Sequence, residues 1–525
     1  MAAESHSLIL TLGQLLPDVG LPAAMAEIKI TGMALDSRKI TAGDIFIALA
    51  GENVNGNSFI SAAIVNGASA VLVEADKDWH GTQWLGAVPV ISVAQLAQNV
   101  SGIAARFYND PSAQMRLTGV TGTNGKTTCS LLLGQIFAHL YGRAGVIGTL
   151  GSGLLDSTAT APVAQQIDGF QLTGLTTPDP IAVQCLLAQL LGQKANAIAM
   201  EVSSHSLVQA RVAAVSFHCA IFTNLTQDHL DYHGDLVSYG KAKQKLLSAS
   251  GLRYAIVNAD DAWAKNLLTQ MPTFVQGLSY STNNASADIY AKKIELDVDG
   301  ICADIVTPWG EGKLRSSLIG EFNLGNLLAV IAAACVQDLK LADVLAVIPQ
   351  LHPAPGRMQP VLLEQSEQDV GVIVDYAHTP DALENTIQAL LAHKPGRLWT
   401  VFGCGGDRDR TKRPLMGRIA ERLSDYVIVT NDNPRSEDPA IIAADILRGM
   451  HNTHGCLVIA DRAQAIDLAV QQAKPGDLIL VAGKGHENYQ IFAAQTLPFS
   501  DVKHARISLQ RRLAKRDVQT LEAKA

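Results

Sequence analysis

The run Gly119-Val120-Thr121-Gly122-Thr123-Asn124-Gly125-Lys126-Thr127-Thr128 decides how this chain is read. It follows an apolar β-type stretch, Met115 to Val120, and precedes Cys129 to Leu140, where apolar residues recur on a helical period. A loop between a strand and a helix N-terminus offers free backbone N–H groups and a positive dipole end, and glycines let that backbone close around phosphate oxygens. Lys126 adds a point charge for the terminal phosphates, and the Thr127 hydroxyl suits magnesium. The expectation is a nucleoside triphosphate site formed by Gly122, Thr123, Asn124, Gly125, Lys126, Thr127 and Thr128. The general pattern G-x-x-x-x-G-K-[ST] is not met, because Val120 stands where its first glycine belongs. By local chemistry alone, Gly-Lys-Thr after a strand also fits a purely structural turn.

Outward from the loop, β-type runs continue at Ala144 to Gly148, Ala197 to Met200, Ala220 to Thr223 and Tyr254 to Val257, with helical stretches between several of them. That alternation predicts a doubly wound, mostly parallel sheet. Before it, short β runs (Asp44 to Leu49, Ala70 to Val73) and a helical run (Ala94 to Phe107) read as a small α/β domain ending near Tyr108-Asn109-Asp110-Pro111. Two prolines and a glycine in Leu351-His352-Pro353-Ala354-Pro355-Gly356-Arg357 suit an interdomain hinge. Beyond it the alternation restarts at Gly371 to Asp375, Leu398 to Phe402, Tyr426 to Thr430, Cys456 to Ile459 and Asp477 to Val481, the pattern of a Rossmann-like domain. The division expected is 1–110, 111–356 and 357–525: a small N-terminal α/β domain, a central P-loop-type domain and a C-terminal Rossmann-like domain.

Composition agrees. A chain of 525 residues that is 48% hydrophobic is too long for one core. With 49 acidic against 41 basic residues and a formal charge of -8, no basic surface is advertised for nucleic acid. The 7 cysteines are dispersed without a C-x-x-C pair, so they read as small buried hydrophobes rather than a disulfide framework or zinc ribbon. Met1 to Leu15 lacks a charged n-region, and the most apolar segment, Leu327 to Val336, is too short to span a bilayer. A cytoplasmic monomer without a membrane or nucleic-acid partner is expected.

Several clusters could carry chemistry. Glu201 ends an apolar strand in Ala199-Met200-Glu201-Val202-Ser203-Ser204-His205, at the ligand-binding edge of a parallel sheet, where it reads as a magnesium ligand or as a cap on the next helix. Thr223-Asn224-Leu225-Thr226-Gln227-Asp228-His229-Leu230-Asp231-Tyr232-His233-Gly234 reads as a hydrogen-bonded polar turn before it reads as a zinc site. Tyr239 to Lys245 is by spacing a solvated basic helix face. Asp432-Asn433-Pro434-Arg435 follows a strand and reads either as a proline turn with a surface arginine or as a group able to pair with a carboxylate and an ammonium together.

Taken together, Thr121-Gly122-Thr123-Asn124-Gly125-Lys126-Thr127, the Thr-Asn-x-x-x-Asp-His-Leu-Asp-x-His run from Thr223 and Gly320-Glu321-Phe322-Asn323-Leu324-Gly325-Asn326 resemble the motifs of the Mur ligase family, over essentially the full length. The resemblance implies ATP-dependent joining of a carboxylate to an amine through an acyl-phosphate, with Mg2+ as cofactor and ATP as cosubstrate. Lys126, Glu201 and Lys243 are then the catalytic set. Lys243, nine residues after Gly234, matches the family lysine that is carbamylated, so Thr127, Glu201 and Lys243 would hold magnesium. Asn326, Arg357 and Asp375, with His378 close by, match residues that meet the nucleotide, and Lys412 is placed within reach of the phosphates.

For the acceptor, Leu35-Asp36-Ser37-Arg38 and Gly51-Glu52-Asn53-Val54-Asn55-Gly56 are locally ordinary polar turns, yet they resemble the UDP-binding elements of the tripeptide-forming members. Leu35, Ser37, Glu52, Asn53 and Val54 would hold UDP; Thr176, Thr177, Ser203, Gln209 and Arg211 would hold the muramoyl-dipeptide. Leu175 stands where some relatives have asparagine before Thr-Thr-Pro. Asp432, Asn433, Pro434 and Arg435, completed by Arg408, Gly483 and Glu487, resemble the pocket that selects meso-diaminopimelate. Lysine lacks the distal carboxylate and would leave Arg435 unpaired. The substrates implied are UDP-N-acetylmuramoyl-L-alanyl-D-glutamate, meso-diaminopimelate and ATP. Two alternatives stand beside this: a folylpolyglutamate synthase-like ligase, and a P-loop nucleotide-binding regulator without ligase activity.

Overall fold

A computed structural model of the chain describes residues 9–51, 54–76, 79–297, 300–363, 368–392, 396–452 and 455–522. Three α/β domains follow one another, each built on its own sheet. In the first, Gly32–Ala34, Asp44–Ala48, Ala70–Glu74 and Val88–Val93 pair in parallel, and Thr82–Leu85 closes one edge antiparallel. Two apolar clusters cover its two faces, one around Leu72 and Ile103, the other around Phe46 and Val71. Helix Leu96–Phe107 packs this domain on helix Pro180–Gly192 of the next, so Ile181 joins the N-terminal core.

The central sheet has ten strands, in the spatial order Gly151–Asp156, Arg143–Gly148, Ala197–Glu201, Arg116–Thr121, Cys219–Phe222, Tyr254–Asn258, Gln276–Ser281, Ile289–Asp297, Gly300–Thr307 and Gly310–Ser316. From Arg143–Gly148 to Ile289–Asp297 all pairings are parallel; the sequence pattern foresaw the strands up to Tyr254–Asn258 but not Gln276–Ser281 or Ile289–Asp297. It did not foresee the antiparallel meander formed by the last three strands, nor the antiparallel edge at Gly151–Asp156. Arg116–Thr121 lies where the winding reverses: the chain passes to one side of it, returns as Ala197–Glu201, then continues on the other side from Cys219. Ligands of open parallel sheets bind at the C-terminal ends of strands at such a reversal.

Helix Lys126–Tyr141 is buried on every side from Thr127 to Ala138, between the sheet and helix Glu321–Cys335. An all-round apolar helix has one stable place, inside the domain, and this holds its N-terminus rigidly. The C-terminal sheet runs Gln359–Pro360, Gly371–Asp375, Leu478–Ala482, Leu398–Phe402, Tyr426–Val429, Cys456–Val458, parallel except for its first pair. Apolar clusters cover both faces, as a parallel sheet requires. All seven cysteines are free. Among the described residues no helix is long and apolar enough to cross a membrane.

The chain between the second and third domains is pinned at each end. The Gln135 amide exchanges two hydrogen bonds with the His352 backbone, at 2.9 and 3.0 Å, and Met358 N–H donates to Asp375 Oδ2 at 2.7 Å. Between these anchors the Arg357 guanidinium lies 4.3 Å from the Tyr376 ring centre.

Candidate active site

The phosphate loop is shaped by the strand ends beside it. Thr123 N–H donates to Asn224 O at 2.9 Å, Asn124 N–H to Asn224 Oδ1 at 2.8 Å, and the Thr223 hydroxyl to Asn124 O at 2.6 Å. That close approach explains Gly122, whose φ of 150° and position would set a Cβ 1.8 Å from Thr223 Oγ1. Helix Lys126–Tyr141 begins without a side-chain cap, as do Glu321–Cys335 and Lys412–Leu423. By contrast Pro180–Gly192, Pro380–Leu391 and Arg462–Gln472 are capped by Asp179, Thr379 and Asp461. Uncapped N-termini leave their N–H groups for a ligand. Lys126 Nζ donates to Gly122 O at 2.9 Å and Thr123 O at 2.8 Å, and burial lowers its pKa against the opposing pull of Glu201 and Asp228.

Glu201 is buried at the end of its strand. One of its oxygens accepts from the Thr127 hydroxyl at 3.0 Å and the Thr149 hydroxyl at 3.1 Å, the other from Thr149 N–H at 2.8 Å. Its carboxylate therefore faces the loop rather than capping the helix after it, which Ser203 caps. Lys243 is only 1% exposed, while Lys241 and Lys245 on the same segment face solvent. Its Nζ donates to Gly122 O at 2.7 Å and lies 4.3 Å from the Tyr239 ring centre. Burial, then the charge of Lys126, pushes its pKa well down. The basic-face reading thus gives way at one lysine of the three.

The polar turn from Thr223 folds over this edge. His205, His229, Tyr232, His233 and Tyr239 pack ring on ring at 4.2–6.2 Å, and His233 Nε2 bonds Ser204 Oγ at 2.9 Å. Burial holds His205 down to about 4. Asp228 Oδ2 lies 3.3 Å from His229 Nε2, and its carboxyl feels His378 and Lys412 of the third domain. Asn124 Nδ2 donates to Asp381 Oδ2 at 2.9 Å, so the phosphate loop and the third domain touch directly.

The candidate dipeptide residues form one row. The Thr149 and Thr176 hydroxyls lie 3.1 Å apart, Thr177 Oγ1 bridges Glu201 O (2.9 Å) and Ser203 N–H (3.0 Å), and Arg211 donates to Thr177 O at 2.7 Å and, through Nε, to Gln209 Oε1 at 2.9 Å. Gln209 donates to the Tyr232 hydroxyl at 3.2 Å. Leu175 is half exposed beside the row, its carbonyl accepting from Thr173. In the N-terminal domain, Leu35, Ser37 and Val54 lie just past the C-terminal ends of Gly32–Ala34 and Asp44–Ala48; Glu52 and Asn53 lie outside the described residues.

At the edge of the third sheet, Arg435 takes a left-handed φ of 53° and donates through Nη1 to Gly406 O at 2.8 Å. Its backbone is clamped by Ile491 O and Ala493 N–H. Asp432 lies over Gly483, whose φ of 116° and 2.6 Å Cβ clearance admit no side chain. Burial raises the Tyr489 pKa; Glu487 and Asp432 reinforce the shift, while Arg435 and Arg408 oppose it. The Arg435 and Arg408 side chains flank Gly405. Under the pocket, Arg462 and Asp501 form an ion pair with both side chains 0% exposed. Arg462 Nη2 also donates to Ala482 O at 2.8 Å, beside Gly483.

Family models match three consecutive stretches: the Mur ligase family catalytic domain over 29–108, the Mur ligase middle domain over 120–334, and the Mur ligase glutamate ligase domain over 356–485. The chain is 44% identical over 502 residues to a UDP-N-acetylmuramoyl-L-alanyl-D-glutamate--2,6-diaminopimelate ligase of Coxiella burnetii, covering 95% of this chain and 99% of that one. The chain belongs to the Mur ligase family. An Ectopseudomonas mendocina ligase of the same name is 46% identical over 496 residues, covering 93% and 97%. The solved structure of a ligase of that name superposes with a TM-score of 0.68 at 34% identity, covering 96% of this chain and 99% of the other.

Against this Mur ligase frame, two expected nucleotide residues have commitments within the protein. Asp375 uses both oxygens on Met358 N–H, Ala377 N–H and the Thr386 hydroxyl, and burial raises its pKa. Asn326 is buried, donating to Asn323 Oδ1 at 3.0 Å and accepting from the Cys129 thiol at 3.3 Å. The sequence reading passed over Thr149, Asp381 and Lys484. Lys484 had a local signal, a lysine between Gly483 and Gly485 just after an apolar strand. Thr149 and Asp381 had none, since each acts through a partner distant in sequence.

Proposed function

We propose that this protein joins meso-diaminopimelate to UDP-N-acetylmuramoyl-L-alanyl-D-glutamate at the expense of ATP, forming the UDP-muramoyl-tripeptide of peptidoglycan synthesis in the cytoplasm. One observation carries the reading. A phosphate loop and a pocket that gathers acids, a buried lysine and arginines occupy the ligand-binding edges of two different sheets, and Asn124 and Asp381 link the two domains at 2.9 Å. Relatives bearing that activity in their name, 44–46% identical over more than nine-tenths of this chain, support it.

A carboxylate is a poor electrophile, so its oxygen first attacks the γ-phosphorus of ATP and ADP leaves. The loop N–H groups and Lys126 stabilise the charge moving onto the phosphoryl oxygens. The neutral amine of diaminopimelate then attacks the acyl carbon, a C–N bond forms, the nitrogen gives up a proton to solvent, and phosphate leaves with the original carboxylate oxygen. The hydroxyl of Thr127 and the carboxylate of Glu201, 3.0 Å apart, are hard oxygen donors that fit magnesium. Lys243 joins them once its amine, held toward the neutral form by burial, adds carbon dioxide and loses a proton to become a carbamate. Bound there, magnesium would neutralise charge on the transferring phosphoryl group. Asn326, Arg357 and Asp375 border the nucleotide, Asp375 by holding the Arg357 segment in place. Thr176, Thr177, Ser203, Gln209 and Arg211 seat the dipeptide, and Leu35, Ser37, Glu52, Asn53 and Val54 the UDP. Domain contact around the acyl-phosphate excludes water.

Acceptor labelled with oxygen-18 in its carboxylate tests this. One labelled oxygen should appear in the released phosphate, only when all three substrates are present. Phosphate released at the same rate without acceptor or amine would contradict the ligase reading.

A further inference from the structure

The pocket at the third sheet edge contains a cation that cannot reach a ligand. Lys484 is 0% exposed, and its ammonium is shared among three acceptors: Glu487 Oε2 at 2.8 Å, Asn433 Oδ1 at 3.1 Å and Asp432 Oδ1 at 3.8 Å. Asn433 completes the arrangement by donating its amide N–H to the same Glu487 oxygen at 2.8 Å. Glu487 is therefore held by one oxygen, while its other oxygen makes no hydrogen bond among the described residues. Asp432 Oδ2 is likewise directed over Gly483, where only a glycine leaves room. The Tyr489 ring closes the other side, its centre 5.5 Å from Nζ.

Two carboxylates this close repel one another, and neither would keep a fixed direction without a cation between them. A lysine ammonium is a compact charge with three donors, which suits acceptors on three side chains. We propose that Lys484 is a positioning residue for amino-acid specificity: it cancels one of the two carboxylate charges and aims the free oxygens of Glu487 and Asp432 at the distal ammonium of the incoming amino acid. Arg435 and Arg408, whose side chains flank Gly405 at the same sheet edge, take the distal carboxylate. Selection then has two separable parts: arginines read the carboxylate, and the Lys484-organised acids read the ammonium. This inference rests on the amine assignment above.

The test uses the full-length enzyme and two amines: meso-diaminopimelate, and L-2-aminopimelate, which keeps the distal carboxylate but lacks the distal ammonium. Lys484→Met should lower kcat/KM for meso-diaminopimelate by about tenfold or more, mainly through KM, and change L-2-aminopimelate by less than about threefold. KM for ATP and for the UDP-dipeptide should stay as in the wild type. If Lys484 only holds the fold, both amines lose activity alike, and the proposal is overturned. Should the single variant not fold because it leaves acids unpaired, Lys484→Met/Glu487→Gln removes the excess charge. That double variant should fold and treat the two amines nearly alike; retained preference for meso-diaminopimelate would also overturn the proposal. Failure of the wild type itself to use meso-diaminopimelate would instead refute the amine assignment.

Discussion

At the edge of the central sheet the phosphate cradle is shaped by backbone. The loop from Gly122 to Lys126 owes its shape to hydrogen bonds with Thr223 and Asn224, and its helix is left uncapped. At the edge of the third sheet the binding groups are side chains: Asp432, Asn433, Lys484 and Glu487 hold one another through ion pairs and hydrogen bonds of the Asn433 amide, and Arg435 is tied to Gly406 O. The first recognises what every nucleoside triphosphate shares, a run of anionic oxygens. In the function proposed above, the second distinguishes one diamino acid from others, and for that charges in fixed directions are needed. A backbone site should fail through geometry, a side-chain site through selectivity.

The largest effect is expected where the backbone is disturbed. Gly122→Ala forces a Cβ into the Thr223 hydroxyl, so the loop shifts and the phosphates are misplaced. A misplacement near 1 Å costs about 10²-fold in turnover, and it should do so equally for every amine offered. Steady-state phosphate release with two amines checks this, and a loss confined to one amine would break the contrast.

Arg435→Ala should act the other way. Loss of the guanidinium should lower kcat/KM for meso-diaminopimelate by about 10- to 10²-fold and leave the feeble use of L-lysine nearly unchanged. Competition between the two amines gives the ratio directly.

A smaller effect concerns acid. Burial holds His205, His378 and His486 down to about 4 from an ordinary 6.5. Between those values the unfolded chain binds protons that the folded chain does not, so stability falls as pH drops from about 6.5 towards 4. His378→Gln should make that fall shallower in denaturant midpoints measured across the interval, and comparison with the wild type separates the histidine from the carboxylates.

The same contrast governs what could be read in advance. The phosphate loop was legible because its information is local: an apolar strand, glycines at fixed offsets, a lysine and a threonine at the helix start. Parallel strands such as Ala197–Glu201 and Leu478–Ala482 were legible as short apolar runs. The meander from Ile289 to Ser316 was not, because alternation over two-sided strands with polar outer faces is a weak signal. Arg462 and Arg413 look like surface charges in sequence and are buried, because their partners Asp501 and Glu437 come from elsewhere in the chain; Lys484 likewise meets Asn433, 51 residues away. Asn124 and Asp381, 257 residues apart, meet only once the domains are docked.

The most direct test of the account is an amine exchange with purified wild-type protein, ATP and UDP-N-acetylmuramoyl-L-alanyl-D-glutamate. The account predicts rapid tripeptide formation with meso-diaminopimelate and a kcat/KM for L-lysine lower by about 10³-fold or more. Comparable turnover of the two amines would contradict it.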